Sequence, residues 1–76
     1  MIHELESVVL ETDIPESGLK RGDIGTVVMF HKGGEGVEVE FVALDGETVA
    51  LVTLRVSQIR PIRHREIAHA RVVAAD

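Results

Sequence analysis

A mainly β fold, a small barrel of five strands with a tight helical turn before the last, is what this chain of 76 residues predicts. Three observations carry it. Gly18, Gly22 and Gly25 punctuate a stretch that runs directly into Thr26-Val27-Val28, the mark of a tight entry into a curved sheet. Asp45-Gly46 stands between two alternating runs, the strongest short-range hairpin signal. Val56 and Ile59 are three residues apart, the spacing of one tight helical turn, and Pro61 follows two residues later.

The elements follow in order. Ser7 to Thr12 is β-rich and is bounded by Asp13 and Pro15, which suits a first strand. Pro15 lacks the donor a strand ladder needs, so Asp13 to Gly18 reads as an excursion loop closing on the glycine turn. Ile24 to His31 is the second strand. Gly33-Gly34-Glu35-Gly36, with little side chain to fix a shape, is a flexible hairpin tip. Strands three and four flank Asp45-Gly46. A two-residue loop there pairs Leu44 with Glu47, Ala43 with Thr48, Val42 with Val49, Phe41 with Ala50, Val39 with Val52 and Val37 with Leu54.

That register sorts the hairpin into two faces. Val37, Val39, Phe41, Ala50, Val52 and Leu54 share one, which is apolar throughout and belongs to the core. The other face carries Glu38, Glu40 and Thr53 at one end and Val42, Leu44, Val49 and Leu51 at the other. Those four aliphatics form the candidate interaction patch, since a contiguous apolar cluster turned away from so small a core calls for a cover. The fold-critical turn is Gly18, Gly22, Asp23 and Gly25, with Asp23 expected to cap backbone amides.

Pro61 restricts the last strand to an edge, because a central strand would lose a ladder bond there. The domain therefore reads as residues 1–62, with a basic tail over 63–76. In the tail Ile67, Ala70, Val73 and Ala74 fall on one face at helical spacing, which gives it the potential for a short C-terminal helix; a frayed or partner-ordered tail is the alternative.

Charge divides along the same boundary. Residues 1–54 hold eleven acids against Lys20, Arg21 and Lys32, a balance of −8, while residues 55–76 hold five arginines against Glu66 and Asp76, a balance of +3. An acidic body repels phosphate backbones, so nucleic acid is not the expected partner. With no Trp or Tyr, and Phe41 assigned to the core, the chain lacks the aromatics on which proline-rich peptides or single-stranded bases stack. His3, His31, His64 and His69 are dispersed and do not converge on a metal; no cofactor is expected. Ser7, Ser17 and Ser57 have no neighbouring histidine to act as base, and no other stretch carries a catalytic motif, so the chain is not read as an enzyme. There is no cysteine, Met1 to Glu6 lacks the basic region and apolar run of a signal peptide, and no apolar run reaches membrane-spanning length. The expectation is a soluble, unprocessed, cytoplasmic protein without membrane contact.

The order of strand, excursion loop, hairpin, Asp-Gly hairpin, tight turn and final strand resembles a Src-homology-3-like (SH3-like) barrel. More closely, Val8-Val9-Leu10, Asp13-Ile14-Pro15, Gly18-Leu19-Lys20, Gly22 to Val28, Val39-Glu40-Phe41, Asp45 to Thr48 and Ile59-Arg60-Pro61 resemble a family of small bacterial proteins described as a domain of unknown function. That likeness covers about residues 7–62 and implies the fold, with no catalytic residues. Arg21-Gly22-Asp23-Ile24-Gly25 is also similar to the strand entry of ribosomal and transcription-factor barrels that bind RNA. The function expected is a non-catalytic interaction module that self-associates or binds a protein partner. The alternative is an RNA- or ribosome-associated barrel using the basic tail.

Overall fold

A computed structural model describes residues 2–73. Five strands, β1 (Ser7–Leu10), β2 (Ile24–Phe30), β3 (Gly36–Val42), β4 (Thr48–Arg55) and β5 (Ile59–Pro61), form one antiparallel sheet in the order β4-β3-β2-β1-β5. Two single 3-10 turns lie between the strands: Val56–Gln58, where the Val56/Ile59 spacing places a tight turn, and Pro15–Ser17, within the segment expected as an excursion loop. β4 and β5 do not pair, so the ladder is open and each is an edge. β5 has three residues and ends on Pro61, which has no N–H to extend a ladder.

One face of the curled sheet makes the core. Val8, Leu10, Val27, Val37, Val39, Phe41, Leu54 and Ile59 pack there with Leu19 from the glycine-turn segment. Alternation explains the selection, because residues two apart on a strand share a face.

The β3–β4 hairpin departs from the expected register near its tip. Val37↔Leu54, Val39↔Val52 and Phe41↔Ala50 are partners as expected, but Val42 faces Thr48 rather than Val49. The turn explains the change. Gly46 has φ +97° and donates to the Ala43 carbonyl at 2.9 Å, while the Ala43 amide donates to the Glu47 carbonyl at 2.8 Å. The loop is thus the three residues Leu44-Asp45-Gly46, with glycine in the left-handed position, rather than Asp45-Gly46 alone. A bulge at Val49 absorbs the one-residue slip and restores the expected pairs from Phe41 onward. A second bulge, at Val28, lies in the β2–β3 ladder.

The helix expected in the tail is absent from the described residues. Residues 62–73 contain one turn at His64-Arg65 and otherwise no regular element. A short segment without a packed face does not overcome the cost of helix nucleation, and this one is held by ion pairs instead. Ala74, expected on the helix face, lies outside the described residues.

Candidate functional site

Two parts of the molecule concentrate its features: the glycine turn with the tail laid on it, and the outer face of β2–β4.

In the glycine turn each residue has a distinct task. Gly18, φ +71°, closes the first 3-10 turn, its amide donating to the Pro15 carbonyl at 3.1 Å. Gly22, φ +96°, donates to the Leu10 carbonyl at 2.8 Å. Gly25 has an ordinary φ but no room: a methyl group there would stand 2.7 Å from Val39 Cγ1, 2.8 Å from Phe41 Cε2 and 3.0 Å from the Glu40 carbonyl oxygen. Asp23 accepts the Lys20 amide at 2.8 Å. It also accepts Arg71 Nε at 2.9 Å and Arg71 Nη2. Partial burial pushes the Asp23 carboxyl up, but the bonds from Arg71 and from the Lys20 amide outweigh it, and its pKa lies below the ordinary value.

The tail is fastened at two points. Arg71 Nη2 also donates to the Gly18 carbonyl at 3.0 Å, so one guanidinium joins both ends of the turn. Arg60 of β5 grips Glu66 with two bonds of 2.9 and 2.7 Å, and the Arg63 amide adds a third at 2.6 Å. These bonds, the Arg60 pair first, bring the Glu66 carboxyl down to about 2. The spacing of acids and arginines in the sequence does not signal the Arg71–Asp23 contact, because its partners are 48 positions apart. Two surface hollows flank the tail, one of about 270 Å³ lined by Val9, Glu11, Arg21, Arg60 and Arg63, the other of about 300 Å³ lined by Asp13, Leu19, Lys20, Arg71 and Val72.

Of the patch residues, Leu44, Leu51 and Val42 are 92, 59 and 44 % exposed. Val49 separates from them. Its place in the bulge turns it to the core side, where it packs beside Ala50 and Val52. The outer face gains two aliphatics that periodicity alone misses, Val28 and Met29, both exposed next to the β2 bulge. Between them lie two anchored acids. Glu38 accepts His31 Nε2 at 2.6 Å and the Thr53 hydroxyl, and the hydroxyl first, then the imidazole, keeps its carboxyl below the ordinary range. Glu40 accepts the Thr48 hydroxyl at 2.9 Å. The outer face is thus aliphatic ground crossed by fixed carboxylates.

Among the described residues no three His, Asp or Glu side chains gather as metal ligands. Among the described residues no helix is long and apolar enough to cross a membrane. No curated protein and no solved structure matches the chain. A family model does match over residues 4–61, a span that ends at the last residue of β5 and leaves the tail outside. The chain belongs to the family described as Domain of unknown function (DUF4926).

Proposed function

We propose that the chain is a non-catalytic protein-interaction module, an SH3-like barrel in type, working in the bacterial cytoplasm. The observation that carries the reading is the outer face of β2–β4, where Val42, Leu44 and Leu51, joined by Val28 and Met29, remain exposed in a domain whose core has few residues. Fully burying an aliphatic side chain is worth roughly 1.5–3 kcal/mol, so a partner covering several of them gains a large share of what holds such a domain together. Strand order and a 3-10 turn immediately ahead of the last strand support the SH3-like type.

The RNA reading is the weaker one. Two guanidiniums of the basic C-terminal region, Arg60 of β5 and Arg71 of the tail, are occupied by Glu66 and Asp23 of the same chain.

Leu51→Glu tests the interaction reading. The variant should keep the wild-type urea midpoint and lose either self-association in sedimentation or the protein captured from the native host. An unchanged mass together with an unchanged capture profile overturns the reading. Generic RNA retained at low salt and released steeply as salt rises would favour the alternative.

A further inference from the structure

Every open sheet ends in two rows of N–H and C=O groups that another strand can use, and proteins usually blunt such rows with proline, lysine or a cover. At β5 the blunting is visible: three residues, Pro61 at the end, and Arg60 Nη1 on the Pro61 carbonyl at 3.1 Å. At β4 it is missing. Thr48–Arg55 is eight residues long, holds neither proline nor lysine, and is uncharged until Arg55. Among the described residues the backbone of 48–54 hydrogen-bonds only within the sheet, where its one partner strand is β3.

We propose that this edge takes a second copy of the chain, β4 pairing antiparallel with its twin about a two-fold axis beside Leu51, so that two sheets become one of ten strands. The inference rests on the interaction reading and names its partner. Charge selects the occupant and the direction. β4 is entered from an acidic turn, Asp45 and Glu47, and left at a basic residue, Arg55, with only uncharged residues between. None of the three takes part in an ion pair among the described residues. Antiparallel pairing lays the basic end of each strand along the acidic end of the other, twice by symmetry, whereas parallel pairing sets like charges side by side. The axis also brings Leu51, exposed on the outer face, against its own twin. About an axis beside Leu51, Arg55 of each strand reaches Glu47 of its twin, and the bulge at Val49 lies within that span, opposite Thr53.

A chain without cysteine makes the test direct. Leu51→Cys should give a disulfide-linked dimer under mild oxidation, and Val28→Cys should not, because β2 lies two strands in from the edge and the twin residues would be about 24 Å apart. Arg55→Glu should weaken dimerisation in sedimentation by about tenfold, and adding Glu47→Lys to it should restore the affinity. Cross-linking of Val28→Cys as efficient as that of Leu51→Cys would mean packing face to face and would overturn the edge pairing. A monomer throughout, up to about 1 mM, would overturn it as well. If that monomer still lost a captured host protein on Leu51→Glu, the interaction reading would stand without the edge pairing.

Discussion

The two edges of this sheet are finished in opposite ways. β5 is short, closed by proline, and bound through Arg60 to Glu66 and through the tail's Arg71 to the glycine turn. β4 is long, aliphatic and bare. The contrast shows where the chain uses its arginines: of the five beyond Leu54, two, Arg60 and Arg71, fasten the tail through ion pairs. An edge secured by its own chain is unavailable to others, whereas an edge left without charge or proline is a template.

The strand that joins the two halves should be the most sensitive to change. β2 pairs with β1 through Ile24, Gly25 and Thr26 and with β3 from Thr26 onward, and Gly25 lies where the backbone passes closest to Val39 and Phe41. Gly25→Ala should cost about 2 kcal/mol through overpacking. Gly22→Ala, with open space around it but φ +96°, should cost about 1 kcal/mol through backbone strain. Urea midpoints measure both, and equal losses would remove crowding as the distinguishing cause.

A chain ending at Ile62 sharpens the comparison. It should keep the sheet spectrum by circular dichroism and a cooperative melt, at a reduced midpoint, since among the described residues the buried core includes none beyond Ile59. Loss of the cooperative melt would make the tail part of the core and erase the difference between a fastened edge and an intrinsic one. Arg71→Ala removes one fastening alone. It should increase cleavage in the tail by protease while lowering stability by at most about 1 kcal/mol, the range of solvent-accessible ion pairs.

The smallest effect is a titration. Glu66 has an ordinary value of 4.5 and lies at about 2 in the folded chain, so its pairing with Arg60 contributes fully above pH 4.5 and is lost as pH falls through 2. Carboxyl chemical shifts followed by NMR should show Glu66 titrating well below the exposed glutamates, and Arg60→Ala should return it among them. An ordinary titration in the wild-type chain would mean that the tail is not held at this point.

Much of the architecture was legible. Pro61, the glycine of Asp45-Gly46 and the Val56/Ile59 spacing each constrain the backbone locally, and the edge position of β5, the place of the β3–β4 hairpin and the second 3-10 turn follow from them, although the hairpin loop is one residue longer than expected. The bulges were not legible. In Val49-Ala50-Leu51-Val52 every residue is apolar, so a period of two cannot reveal which one is doubled, and Val49 was assigned to the wrong face. The tail misled for a related reason: spacing of Ile67, Ala70 and Val73 describes a helix only where something packs on that face, and Arg71–Asp23 is a contact between distant parts of the chain that no local pattern encodes. Val42, Leu44 and Leu51 were read as exposed because they depend on pleat alternation near the turn, which the slip and its compensating bulge leave intact for those positions.

The pairing of Val8 with Pro61 has a consequence in time. Until β5 docks, the sheet has a bare row at β1 as well as at β4, although every core residue except Ile59 lies on an earlier part of the chain. The β3–β4 ladder, made of neighbours in the chain, closes early, and the β1–β5 ladder, which joins the chain's distant ends, closes late. A folding chain whose β5 has not docked is therefore double-ended, able to add a strand on either side, and becomes single-ended only when Ile59–Pro61 docks on β1. A chain cut before Ile59 would present the two-edged form, prone to chain-to-chain growth, whereas the chain with β5 docked can pair once and stop.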